Sequence, residues 1–253
     1  MFKQICDNHA PIKRIKIRSK SDPWITNEIR RKMNYRYRPI SLLSVPSKIL
    51  ESCVSDTILQ HVADNSLLTE RQWAYHKGYS TQLLLTHLTE CWRQSIDANL
   101  VVATTFVDFR KAFDCVPHRA LLHKLKHKFR IEGDLLSWLT DYLYHRTQVT
   151  VINGTRSDEL YVSCGILQGS VLGPCLFSLY TNDMPGSVTS GALYLYADDT
   201  TIYCIGSTVD EACSRLNNAL DELNKWCAAN SLTPHPAKCE AMLTEDHLLV
   251  VTL

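Results

Sequence analysis

Tyr196-Ala197-Asp198-Asp199 sets two adjacent carboxylates between two short apolar runs, Ala192-Leu193-Tyr194-Leu195 and Thr200-Thr201-Ile202-Tyr203-Cys204. Both runs are rich in aromatic and β-branched residues and read as strands. The acids then fall at the tight connection of a hairpin. Two like charges side by side are costly to bury unless something neutralises them. A divalent cation is the usual remedy, and oxygen-only ligands suit magnesium. The alternative is an Asp-Asp turn on a solvated hairpin, since Asp is a common turn former. The rest of the chain bears on that choice.

Asp108, 90 residues upstream of Asp198, ends the strand-like run Val101-Val102-Ala103-Thr104-Thr105-Phe106-Val107. Phe109-Arg110-Lys111-Ala112-Phe113-Asp114 follows, then Pro117, which suits the first turn of a helix. A strand holds such an acid in place while the loop leaves room for a substrate. Asp at a strand end is also an ordinary cap. Asp114 reads as a cap of the helix after Pro117. A third segment is Gly165-Ile166-Leu167-Gln168-Gly169-Ser170-Val171-Leu172-Gly173-Pro174. Glycine lets a backbone approach a ligand closely, and a loop that opens a helix presents free N–H groups. A flexible connector with a helix start is the other reading.

These segments, with Tyr37-Arg38-Pro39-Ile40-Ser41-Leu42-Leu43, Ser47-Lys48-Ile49-Leu50-Glu51, 72–81 and 232–242, come in one order along the chain. The ordered set resembles the reverse transcriptase domain of non-LTR (LINE-type) retrotransposons, over roughly residues 37–245. The resemblance implies an α+β fold, a right-hand polymerase palm with an antiparallel sheet and packed helices, preceded by partial fingers. It implies RNA-directed DNA synthesis on an RNA template, with a DNA primer, deoxynucleoside triphosphates and two Mg2+ ions. By the same resemblance Asp108 and Asp198 are the bridging metal ligands, with Asp199 and the backbone carbonyl of Phe109 beside them. Phe113 becomes a steric gate against a ribose 2′-hydroxyl, though core packing also explains an aromatic there. Gln168 and Gly169 lie against the incoming nucleotide, Arg38 binds its triphosphate, and Lys238 is a general acid for the leaving pyrophosphate.

The chain departs from the family in several places. Trp24-Ile25-Thr26-Asn27-Glu28-Ile29-Arg30-Arg31 resembles a linker that in these elements lies well upstream, yet Arg36-Tyr37-Arg38-Pro39 follows almost at once. Ala74, Tyr75 and His76 stand where the family shows Gly, Phe and Arg, and Pro236-Ala237-Lys238 lacks the usual Asn before the lysine. No thumb is recognisable. The chain reads as a shortened copy, and a catalytically inactive nucleic-acid-binding remnant is the rival expectation.

Composition is that of an ordinary globular protein, with 253 residues, 45% hydrophobic and 21% charged. No apolar run reaches membrane-spanning length. Ten scattered cysteines show no CxxC pair, which fits reduced thiols in an intracellular protein of cytoplasm or nucleus. Net charge is +1 but uneven: residues 1–40 carry eleven Lys and Arg against three acids, +8, and the remainder is −7. The basic stretch reads either as a phosphate-backbone contact or as a solvated tail.

Periodicity divides the chain into a basic arm at 1–36, with a short helix near 26–34, partial fingers at 37–98, a palm at 99–245 and a tail at 246–253. Helices are expected at 47–64, 80–96, 117–129, 133–144, 171–182 and 209–230. Strands are expected at 100–108 and in a hairpin of 147–152 with 159–164, turned at Asn153-Gly154.

Overall fold

The computed structural model describes residues 43–244 apart from 77, 145, 153–154 and 157, together with strands at 13–16 and 248–252. Arg38, the helix expected near 26–34 and the Asn153-Gly154 turn lie outside the described residues. In chain order the helices are α1 (Val45–Asp64), α2 (Thr81–Asp97), α3 (Ala112–Cys115), α4 (His118–His127), α5 (Gly133–Leu143), α6 (Leu172–Thr181), α7 (Met184–Ser187) and α8 (Val209–Ala229). The strands are β1 (Lys13–Lys16), β2 (Val101–Val107), β3 (Thr147–Ile152), β4 (Thr155–Arg156), β5 (Leu160–Tyr161), β6 (Ala192–Tyr196), β7 (Asp199–Gly206), β8 (Glu240–Thr244) and β9 (Leu248–Thr252).

The larger sheet has the order β6-β7-β2-β8-β9 and is antiparallel throughout. Its middle strand β2 is buried at every position except Phe106, because both faces of the sheet are covered over most of its length. Val101, Ala103 and Val107 face the main core, with Leu193, Leu195 and Ile202 from the neighbouring strands. Leu121 and Leu125 of α4, Leu172, Leu176 and Tyr180 of α6, and Leu216 and Leu223 of α8 close that side. On the opposite face Val102 and Tyr203 meet Leu84, Leu88 and Trp92 of α2. The α2 cover stops short of Phe106, so this face opens at the end of β2 where Asp108 follows.

Local chemistry explains the helix starts. Ser80 accepts from Leu83 N at 3.2 Å and Thr208 from Glu211 N at 3.2 Å, each a side-chain cap on an otherwise unpaired donor. Glu211 reaches back to Ser207 N at 2.8 Å, a variant of the capping box. In α1 the buried stripe is Glu51, Ser55, Ile58 and Val62. Of the apolar residues Ile49, Leu50, Val54, Ile58, Leu59 and Val62, only Ile58 and Val62 are fully inward, and Ile49 is exposed. A carboxylate takes the inward place.

The expected hairpin of 147–152 with 159–164 is present as the antiparallel pair β3 and β5, within a smaller sheet in which β3 also pairs antiparallel with β4 and parallel with β1. The stretch read as a basic arm therefore contributes a strand. The stretch set apart as a tail carries β9, hydrogen-bonded to β8. Full burial of side chains such as Phe177, Leu176 and Leu139 contributes about 1.5–3 kcal/mol each. One cation is built into the helical layer. Lys124 Nζ donates to Tyr180 O at 2.8 Å and to Asp183 Oδ1 at 2.7 Å, and lies 4.6 and 4.8 Å from the Tyr180 and Trp226 ring centroids. Trp226 Nε1 donates to the same Asp183 oxygen at 3.1 Å.

Candidate active site

The register of β2 and β7 decides where the acids meet. Val107 pairs with Thr200, so one step further Asp108 stands opposite Asp199. Opposite residues of an antiparallel pair hold their Cβ atoms about 4.5–5.5 Å apart. The chain beyond Asp108 is strapped down: His235 N donates to Asp108 O at 2.8 Å and Arg110 N to Thr233 O at 2.8 Å. The same strap delivers Lys238, at the end of the 3-10 turn Pro236–Lys238. Its Nζ lies 3.2 Å from Asp108 Oδ2, with the two side chains 58% and 28% exposed. That Oδ2 is buried and makes no hydrogen bond, so the pair is an ionic contact without donor alignment.

Asp108, Asp199 and Lys238 line a cleft of about 310 Å³ together with Phe106 and Glu240. Glu240 was not anticipated. It stands opposite Phe106 across β2 and β8, a pairing between segments 134 residues apart that no local pattern reveals. Three carboxylates against one ammonium make the cleft anionic. Asp198 does not line it. It occupies the two-residue turn closed by the pair Tyr196 and Asp199, after Ala197 at φ 57°. Burial and then the nearby Asp198 push the Tyr75 phenol up from its ordinary pKa. Among the described residues no three His, Cys, Asp or Glu side chains stand close enough together to hold a metal as placed.

The glycine-rich segment lies apart from this cleft. Gly165 takes φ 97°, and a Cβ there would come within 3.0 Å of Asp114 O, so glycine permits the approach. Gly165 N and Ile166 N donate to Val116 O and Phe113 O at 2.8 and 2.7 Å, stitching the loop to the chain that follows β2. Gln168 Nε2 donates to Asp114 Oδ1 at 2.8 Å, and Gly169 is exposed with φ 86°. Asp114 therefore receives Gln168, while α4 starts without a side-chain cap bond. Phe113 stacks on Phe177 at 4.4 Å and 18°, against the core.

The free N–H groups expected at the start of α6 are already taken. Val171 N and Leu172 N donate to Glu51 Oε2 at 2.8 and 3.3 Å, and Gly173 N to Ser170 Oγ at 2.8 Å. Tyr142 Oη donates to the other Glu51 oxygen at 3.1 Å. A buried helix start needs such partners, and a carboxylate suits its dipole. Glu51 and Gln72, whose Oε1 accepts from Ala197 N at 3.2 Å, are the buried polar residues that pattern reading passed over. Val171 and Ala197, backbone donors they serve, lie 120 and 125 residues away.

Comparison with known proteins agrees with this architecture. The sequence profile of the reverse transcriptase (RNA-dependent DNA polymerase) family matches residues 29–252. A probable RNA-directed DNA polymerase from transposon BS of Drosophila melanogaster is 31% identical over 209 residues, covering 80% of this chain and 23% of that protein. The RNA-directed DNA polymerase from mobile element jockey of Drosophila funebris is 28% identical over 210 residues, covering 80% and 23%. The chain thus spans about a quarter of the length of these curated relatives. Among solved structures, apo telomerase from Candida tropicalis truncated from its C-terminal domain aligns with TM-score 0.58 at 11% identity, over 89% of this chain and 45% of that one. Telomerase of the same species in complex with a fragment of telomeric RNA aligns with TM-score 0.58 at 12% identity, over 78% and 34%. The antiparallel sheet with its packed helices is that of a partial polymerase palm, and the chain belongs to the reverse transcriptase family, as a reverse transcriptase domain of the non-LTR, LINE-type retrotransposon kind.

Proposed function

We propose that this chain carries out RNA-directed DNA synthesis, with residues 37–98 as fingers and 99–245 as palm. A primer 3′-hydroxyl attacks the α-phosphorus of a deoxynucleoside triphosphate, the new phosphodiester forms, and pyrophosphate leaves. The single observation that carries this reading is the register that sets Asp199 opposite the exit of β2, with Asp198 on the adjoining turn. Asp108 and Asp198, with Asp199 and the Phe109 carbonyl alongside, would hold two Mg2+ ions. The donors fit, since all are oxygens, and Asp108 Oδ2 faces a cationic group without hydrogen-bonding to it. Bound there, the ions would neutralise charge on the attacking and leaving oxygens.

The chain's own residues do the rest. Lys238 offsets Asp108 and stands at the same cleft, a position suited to protonating the leaving pyrophosphate. Phe113, braced on Phe177, is a rigid gate against a ribose 2′-hydroxyl. Gln168, tied to Asp114, and exposed Gly169 form the surface offered to the nucleotide base, and Arg38 takes the triphosphate. An RNA template and DNA primer are the macromolecular substrates. No helix among the described residues is long and apolar enough to cross a membrane.

A second reading, a nucleic-acid-binding remnant without catalysis, is favoured by two observations: Asp108 is already paired with Lys238, and among the described residues no three ligand side chains are gathered. Primer extension on an RNA template in Mg2+ separates the two. Extension by the wild-type chain and none by Asp198→Asn supports the polymerase. Hybrid binding without extension supports the remnant. Extension that survives Asp198→Asn overturns the assignment of that acid.

A further inference from the structure

Gln72 is completely buried, yet it touches the turn that carries Asp198. Residues 71–73 lie along the outer edge of β6. Leu195 N donates to Arg71 O and Trp73 N to Leu195 O, both at 2.8 Å, a parallel bridge centred on Gln72. From this anchor the side chain reaches forward, and its Oε1 accepts Ala74 N–H at 3.0 Å and Ala197 N–H at 3.2 Å. Two donors aimed at one atom fix the orientation of the amide, because its nitrogen cannot accept. That orientation leaves Nε2 buried without a partner. A buried orphan donor is destabilising, and the two bonds accepted by Oε1 are what hold the amide in that orientation.

Ala197 shows what the contact does. At φ 57° it occupies the left-handed region that a side chain disfavours. The β6–β7 ladder closes at Tyr196 and Asp199, so the Ala197 N–H lies outside the ladder and meets Gln72 instead. We propose that Gln72 is a positioning residue for the acidic turn: its carbonyl fixes Ala197 and so sets the direction of the Asp198 carboxylate relative to Asp108. Its functional consequence rests on the polymerase reading above. The contact couples the segment of residues 71–74, two-thirds of the chain away from Lys238, to the geometry of the cleft.

The test uses the full chain with Gln72→Met, which keeps size but removes the acceptor, and Gln72→Glu, which restores one. Amide hydrogen exchange is read first. In Gln72→Met the Ala197 amide should exchange about tenfold faster, as expected for loss of one hydrogen bond, while amides of β2 and β8 stay as in wild type. In Gln72→Glu its protection should return. In primer extension the Mg2+ concentration for half-maximal rate should rise in Gln72→Met and recover in Gln72→Glu, with the nucleotide KM nearly unchanged. Unaltered Ala197 exchange in Gln72→Met overturns the proposal. So does acceleration spread evenly over the sheet, which marks a purely structural role. If Gln72→Met does not fold, wild-type exchange decides: an Ala197 amide as protected as Leu195 supports the clamp, and one exchanging like an exposed turn refutes it. Absence of extension by the wild-type chain would count against the polymerase reading, while the exchange data would still decide the clamp.

Discussion

Two Lys–Asp pairs in this molecule look alike in composition and differ in everything around them. Lys124 and Asp183 meet at 2.7 Å, and each has further partners: a backbone carbonyl and two aromatic faces for the cation, an indole N–H for the carboxylate. Lys238 and Asp108 meet at 3.2 Å on a half-open surface, and the buried carboxylate oxygen accepts no hydrogen bond. The first pair is complete and holds α4, α6 and α8 together. The second is unfinished, and an acid left with spare acceptor capacity among like charges is suited to take up a cation that the protein does not itself supply. Removing one member of a buried pair strands its partner, whereas an exposed pair contributes little to stability.

That contrast can be broken by substitution. Lys124→Ala should cost about 1–3 kcal/mol in denaturant unfolding, because it strips the Tyr180 carbonyl and Asp183 of their buried donor, although the Asp183 side chain keeps 34% exposure. Glu51→Gln comes next. It keeps the shape but removes the charge that serves the start of α6 and the Tyr142 hydroxyl, and should cost about 1–3 kcal/mol. Lys238→Ala should change stability by about 1 kcal/mol or less, yet lower primer extension by about 10²-fold or more if it acts as the general acid. Equal stability losses for Lys124→Ala and Lys238→Ala would erase the distinction between the pairs.

The smallest effect concerns pH. The Ser190 backbone N–H, with Thr189 assisting, holds the Glu222 carboxyl down to about 2 from its ordinary 4.5. A carboxylate lowered on folding stabilises the native state above its unfolded pKa, and the contribution fades as pH falls through the folded value. The stability gap between wild type and Glu222→Gln should therefore be fully present above pH 4.5 and shrink as pH falls towards about 2. Melts across that window check it, and a gap that widens in acid would contradict the assignment.

Much of the architecture was legible in local pattern. The run from Val101 to Val107, the flanks of the Asp198 turn and the long amphipathic α8 declare themselves by β-branched content or by a 3.6 period. The pairing of Asp108 with Asp199 follows once the two strands are adjacent. What stayed hidden is what depends on distant partners. Glu51 and Gln72 sit inward where local pattern places apolar side chains, and the backbone donors at Val171 and Ala197 that they serve are more than a hundred residues away. Glu240 joins the cleft only through the register of β8 on β2. The start of α6 read as a set of free N–H groups because its donors are free in any isolated helix; the fold spends them on Glu51 and Ser170.

The most direct test of the unfinished site is the thermal melt of the wild-type chain and Asp108→Asn, each with and without Mg2+. Ligand at 100 times its dissociation constant adds about 2.7 kcal/mol, and about 2–4 °C accompanies each kcal/mol in a chain of this size. The account predicts that Mg2+ raises the wild-type midpoint by several degrees. It predicts that Asp108→Asn, relieved of one charge facing Asp199, melts without Mg2+ at or above the wild-type temperature and gains nothing from the ion. An equal Mg2+ gain in Asp108→Asn, or a marked loss of its ion-free stability, would contradict it.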